Sequence, residues 1–158
     1  MSTASNAIKT ALFTLFVPLI VAVWVPQRML GAGVAAAMPW RIAGAMLFVL
    51  GAAGYFWCAA LFVGAQGTPA PIFPTTKTVM SGLYRMNRNP MYTLVLAVVL
   101  GQAVSCRSLR LAGYGAFLFV CFHLFVVFYE EPALRVSFDG EYEEFCRRVP
   151  RWIPRLRH

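Results

Sequence analysis

Residues 42–65 run for 24 positions without a lysine, arginine, aspartate or glutamate, and three further stretches are nearly as apolar. A helix needs about 20 mostly apolar residues to cross a hydrocarbon core roughly 30 Å thick, because each residue rises about 1.5 Å. That length decides the fold class. Residues 7–25 hold only Lys9 near their start, 109–129 hold only Arg110 near an end, and 91–106 are uncharged but shorter. The reading is all-α: one integral membrane helical bundle over residues 1–158, with four transmembrane helices at about 7–25, 42–65, 91–106 and 109–129. The short third span borrows residues from the preceding loop or relies on snorkelling of its flanking arginines. A mean hydropathy of +0.65, with 59% hydrophobic and 13% charged residues, lies outside the balance of a soluble domain.

Basic residues near span ends favour the cytoplasm. With four spans, Lys9, Lys77, Arg85, Arg88, Arg135, Arg147, Arg148, Arg151, Arg155 and Arg157 fall on one side, ten of the 14. Arg28, Arg41, Arg107 and Arg110 fall on the other. A multi-pass protein with both termini in the cytoplasm follows, and the net charge of +8 becomes a topology signal. Nucleic acid is not expected as a partner, since the arginines flank lipid spans or lie on one short tail. A cleaved signal peptide is the competing reading of the N-terminus, with Lys9, the apolar run 11–25 and the small-residue tract 31–37. That run is long for such a signal, and its removal would leave an odd number of spans. Cys58, Cys106, Cys121 and Cys146 never form C-x-x-C, so they read as small core residues rather than metal ligands or disulfides.

Along the second span Gly44, Gly51, Cys58 and Ala65 recur every seven residues. This lines small side chains along one face, for close internal packing or for a homodimer. Pro26 is expected to end the first span, and residues 64–74, with three prolines and two glycines, predict a stiff extended loop. Asn89-Pro90 reads as a helix cap and first helical position. The backbone N–H groups exposed there, beside Arg88, make an anion site. Glu130-Glu131-Pro132 reads as the edge of a new helix beginning at Pro132, because carboxylates at a helix C-terminus cost a few tenths to about 1 kcal/mol each. Leu134, Phe138, Tyr142, Phe145 and Val149 share one face of that helix, as an amphipathic interfacial helix requires. Residues 149–154 are too proline-rich for helix and suit a fold-back. Trp40, Tyr55 and Trp57 read as interface belt or packing.

If the third and fourth spans are antiparallel neighbours, Arg88, Asn89 and Tyr92 face Glu130 and Glu131 across a gap roofed by Tyr142 and Trp152. The gap offers a guanidinium and a helix N-terminus to a carboxylate, carboxylates to an ammonium or sulfonium, and aromatic rings to a flat base. A zwitterionic amino acid attached to an aromatic base matches every part.

The pattern G-x-Y-R-x-x-R-N-P-M-Y at 82–92, a hydrophobic hairpin, E-E-P-x-L at 130–134, F-x-x-x-Y at 138–142 and V-P-R-W-I-P at 149–154 resembles the isoprenylcysteine carboxyl methyltransferase and phospholipid methyltransferase group of integral membrane enzymes. The resemblance covers roughly residues 64–155. It implies an S-adenosylmethionine-dependent methyltransferase that holds its cofactor at the cytoplasmic ends of the last spans, and the absence of a G-x-G-x-x-G after a strand pattern agrees. It also implies that Tyr84, Arg88, Asn89, Pro90, Tyr92, Tyr142, Arg151 and Trp152 bind the cofactor and that Glu131 and Glu130 are catalytic. Asn89 stands where the family commonly has histidine and cannot titrate near neutral pH. Thr93-Leu94 lacks the glycine often found after the tyrosine, and Asp139 stands where glycine is usual.

Alignment of the nucleophile with an already activated methyl group contributes several kcal/mol, so little acid–base machinery is required. The expectation is that Arg88 and the helix start hold the cofactor carboxylate. Glu131 contacts its ammonium or holds the acceptor, Glu130 assists, and an exchange of roles between the glutamates stays open. Glu131→Gln should then cut turnover more than it alters folding. The soluble cofactor is drawn from the cytoplasm and a lipophilic or small acceptor from the bilayer: a prenylated cysteine carboxylate, a lipid amine or a thiol. The rival is a non-catalytic transporter or assembly protein whose ligand sits mid-membrane near Gln102 and His123. His123 itself pairs with a neighbouring helix through Gln102 or meets substrate.

Overall fold

The computed structural model describes residues 16–30, 36–64 and 82–153, and these are all-helical, without strands. Helix α1 spans Phe16–Leu30, α2 Met38–Gly64, α3 Pro90–Ser105, α4 Leu109–Phe125 and α5 Glu131–Arg148. A single 3-10 turn, Gly82–Arg85, precedes α3. The loop expected at 64–74 and the start of the first span lie outside the described residues, apart from Gly64 at the end of α2.

Two helical runs are long and apolar enough to cross a membrane, Met38–Leu61 and Leu109–Phe138. The other two expected spans are shorter among the described residues: Phe16–Leu30 and the 16-residue Pro90–Ser105. On these two runs, Leu50, Trp57, Phe117 and Phe128 are each about 60% or more exposed, an outward apolar surface of the kind that meets lipid or another protein.

Both helix ends that were expected at prolines are corrected, for one physical reason. A proline inside an α-helix removes an N–H and crowds the carbonyl four residues back. Here each proline is preceded by a π-helical turn, Ile20–Trp24 before Pro26 and Val126–Glu130 before Pro132. The slip to a bond five residues back, Val25 N–H to Ile20 O and Glu131 N–H to Val126 O, absorbs the misfit, so the chain stays helical. α1 therefore continues to Leu30, and α4 runs through the π turn into α5 instead of giving way to a separate interfacial helix.

The first π turn also explains how α1 is held. Val25 no longer donates to Val21 O, and Pro26 has no N–H for Ala22 O. The two released carbonyls are taken from neighbouring helices, Val21 O by the Tyr114 hydroxyl at 2.9 Å and Ala22 O by Gln102 Nε2 at 2.5 Å. Irregular backbone at membrane depth is tolerated only with such replacement partners.

The small-residue seam of α2 packs inside the fold. A methyl group at Gly44 would collide with Ser105 and the Gly101 carbonyl, one at Gly101 would lie 2.7 Å from Gly44 O, and Gly51 abuts Leu94 O. The α2 and α3 backbones thus approach to a distance only glycine permits. Around that seam Ala22, Tyr55, Val95, Val98, Val99 and Leu118 form the core. At the α3–α4 end, Arg107 adopts φ 47° in the connecting turn and its guanidinium lies over Trp40.

Candidate functional site

All six acidic residues of the chain lie between 130 and 144, so every carboxylate belongs to the π turn or to α5. Pairing of α3 with α4 carries the start of α3 to this end. Three segments meet there: residues 87–92, the Glu130–Glu131 corner, and the tail after α5.

Glu131 is the centre of the charge arrangement. Its side chain is 3% exposed, and Arg151 binds it with both nitrogens, Nε to Oε1 at 2.7 Å and Nη2 to Oε2 at 3.0 Å. Arg88 Nη1 reaches Oε1 at 3.2 Å, and Arg135, one turn along α5, stands 3.7 Å from Oε2. Donation to the Glu131 carboxylate raises the pKa of the Arg151 guanidinium above its ordinary value. A buried carboxylate met by several guanidiniums is the condition under which burial of charge is tolerated. The exposed pairs farther along α5, Arg135 with Glu143 and Arg148 with Glu144, contribute little by comparison.

Glu130 is placed differently. Its Oε2 accepts from the Tyr92 hydroxyl at 3.0 Å, and the Tyr92 ring packs on Phe122 at 5.0 Å between centroids. The ion pairs of Arg88 and Arg151 go to its neighbour Glu131.

The tail folds back, as its prolines suggest. Three successive carbonyls are met by three consecutive residues: Arg88 N–H donates to Pro150 O at 3.0 Å, Asn89 Nδ2 to Arg151 O at 3.1 Å, and Asn87 Nδ2 to Trp152 O at 2.8 Å. Trp152 Nε1 donates to His123 Nδ1 at 3.1 Å, with the indole edge against Phe119. His123 therefore pairs with the tail, and Gln102 with α1.

Asn89 occupies the cap position and Pro90 the first turn of α3, but the Asn89 side chain makes no cap hydrogen bond and instead donates through Nδ2 to the tail carbonyl of Arg151. The α3 N-terminus is left without a side-chain cap. Beside it, Arg88 Nη1 donates to Cys146 Sγ at 2.9 Å, while Arg88 Nε is buried with no partner among the described residues. Tyr84 lies half-buried in the turn before α3, and burial pushes its phenol well up. Tyr142 is 4% exposed and packs with Phe145 and Val149 in a cluster flanked by Leu134, Phe138 and Cys146. This is the expected apolar face of α5, and burial raises the Tyr142 phenol too. Asn87, Thr93 and Cys146 are polar partners that the sequence motifs did not single out.

A family model for phospholipid methyltransferases matches residues 40–141, more than half of the chain. The chain belongs to the phospholipid methyltransferase family. The match takes in α2, α3, α4, Arg88 and both glutamates of the corner, and it ends before Arg151 and Trp152. Two curated relatives are similar over part of their length. The nickel-cobalt-cadmium resistance protein NccN of Alcaligenes xylosoxydans xylosoxydans is 29% identical over 65% of this chain and 44% of its own. The cobalt-zinc-cadmium resistance protein CzcN of Cupriavidus metallidurans is 30% identical over 68% of this chain and 45% of its own. This member of the phospholipid methyltransferase family thus spans less than half the length of those relatives. No solved structure matches it.

Proposed function

We propose that this chain is an S-adenosylmethionine-dependent membrane methyltransferase acting on a lipophilic or small acceptor. In this reading α1 to α4 form four spans, α5 lies at the cytoplasmic face, and both termini and the site face the cytoplasm. The observation that carries it is the corner where Arg88, Tyr92, Glu130 and Glu131 meet under the tail, within the stretch shared with the methyltransferase family.

The residues present fit the cofactor. A buried Arg88 Nε without a partner, next to an uncapped helix N-terminus, is a donor set awaiting an anion, and a carboxylate suits it. Trp152 and Tyr84 supply aromatic faces for the base. S-adenosylmethionine, when bound, supplies a methyl group already activated on a sulfonium.

Glu131 has its oxygens occupied by arginine, so its role is to hold Arg88 and Arg151 in place. Glu130 is the carboxylate we assign to the acceptor, and Tyr92 orients it. A carboxylate there repels a carboxylate acceptor and accepts a proton from an amine or thiol, which favours those two classes. Asn89 acts through its amide on the tail, a task that needs no titrating group.

The names of the two relatives favour a second reading, a non-catalytic role in metal resistance on the same scaffold. Among the described residues, however, no three His, Cys, Asp or Glu side chains gather to hold a metal ion, and the mid-span Gln102 and His123 already have protein partners. Transfer of labelled methyl from S-adenosylmethionine to a panel of lipid amines, thiols and prenylated cysteines separates the readings. Transfer lost in Glu130→Gln supports the enzyme, whereas no transfer to any acceptor class by folded wild-type protein leaves the non-catalytic role.

A further inference from the structure

The tail carbonyls draw attention to a residue outside every motif. Asn87 is 3% exposed, and all of its side-chain polar groups are engaged. Its Nδ2 donates to Thr93 Oγ1 at 2.8 Å and to Trp152 O at 2.8 Å, and its Oδ1 accepts the Asn89 backbone N–H at 2.6 Å. The last contact is an Asx turn, in which a short side chain bends its own backbone two residues on. That turn presents Arg88 N–H to Pro150 O and Asn89 Nδ2 to Arg151 O. One amide therefore sets the loop before α3 and the strap after α5 at the same time.

We propose that Asn87 is a positioning residue for the cofactor site: it clasps the strap 150–152 against the start of α3 and thereby fixes where the Arg88 and Arg151 guanidiniums stand on Glu131. The proposal rests on the methyltransferase reading for its functional consequence and on geometry alone for the clasp. Asparagine is required because the position needs one acceptor and two donor hydrogens on a short, planar group. Leucine or alanine would leave Trp152 O without its buried donor, a loss that a strap of irregular backbone feels directly. His123 holds the same residue through the Trp152 indole and leaves its backbone carbonyl to Asn87.

Asn87→Asp separates the two halves of this role, because it keeps the acceptor for Asn89 N–H and loses the donor to Trp152 O. In full-length protein in nanodiscs, hydrogen exchange at the Arg88 amide reads the strap through its bond to Pro150 O. Calorimetry reads S-adenosylmethionine affinity, and saturation kinetics read the split between KM and kcat. The expected result is Arg88 exchange faster by about tenfold and affinity weaker by about tenfold, with kcat at saturating cofactor changed by less than about threefold. Asn87→Ser, which keeps a smaller donor and acceptor, should fall between the two and serves if the aspartate variant does not fold. Unchanged Arg88 exchange in both variants overturns the clasp, whatever the wild-type protein binds. Faster exchange with unchanged affinity overturns the positioning role. Faster exchange in a protein whose wild type binds no S-adenosylmethionine removes the methyltransferase reading and leaves the clasp established.

Discussion

The α2–α3 seam and the Glu131 corner hold the same helical fold together by opposite means. At the seam nothing polar is required: glycines at 44, 51 and 101 remove the side chains and two backbones meet. At the corner polar groups do the joining: Arg88, Arg151, Asn87 and Asn89 tie segments 20 to 65 residues apart in sequence, with Glu131 buried among them. The seam tolerates no added volume. The corner tolerates no lost partner. Within the corner the contrast recurs between neighbours, since Glu131 meets the Arg88 and Arg151 guanidiniums and Glu130 accepts from the Tyr92 phenol.

Four substitutions test that contrast, in order of decreasing effect. Glu131→Gln leaves Arg88 and Arg151 facing a neutral group in a buried site, and thermal unfolding in detergent should register a loss of about 3–5 kcal/mol. This departs from the sequence-based expectation that the substitution cuts turnover more than it alters folding, and a melting curve like wild type would restore that assignment. Glu130→Gln should lower methyl transfer by about 100-fold while S-adenosylmethionine affinity and melting temperature stay close to wild type. If affinity is lost instead, Glu130 serves the cofactor rather than the acceptor. Gly101→Val overpacks the seam against Gly44 O and the Phe48 backbone, at a cost of about 1–3 kcal/mol, without changing the affinity of the folded fraction for S-adenosylmethionine. A loss of affinity in that fraction would show that seam and corner are coupled. Trp152→Phe keeps a ring near Phe119 and removes the bond to His123 Nδ1, for about 0.5–1.5 kcal/mol in the same melting assay.

What could be read from the sequence divides along the same line. The seam was legible because a seven-residue repeat of small side chains is a local pattern, and the apolar face of α5, with Tyr142, Phe145 and Val149, was legible for the same reason. The meeting of Arg88 and Tyr92 with the two glutamates followed from one assumption, that two spans joined by a tight turn are antiparallel. Helix continuity at Pro26 and Pro132 was not legible, because local rules read proline as an end, whereas a π turn absorbs it and Gln102 and Tyr114, far along the chain, satisfy the carbonyls released at the first site. Nor was the difference between the partners of Glu130 and those of Glu131. The two are adjacent in sequence, and only the fold decides which one meets the guanidiniums of residues 88 and 151. Asn87 gave no signal because its one partner in the tail is a backbone carbonyl, Trp152 O, which carries no sequence mark.

The central claim is that the corner is a cofactor site, and it is tested most directly by calorimetric titration of S-adenosylmethionine into the purified full-length protein in nanodiscs. Arg88→Lys is the comparison, since lysine keeps a charge for Glu131 but removes the Nε donor and the planar fork. The account predicts saturable binding by wild type that weakens by about tenfold or more in the folded variant. No binding by well-folded wild type, or equal binding by the two proteins, contradicts it.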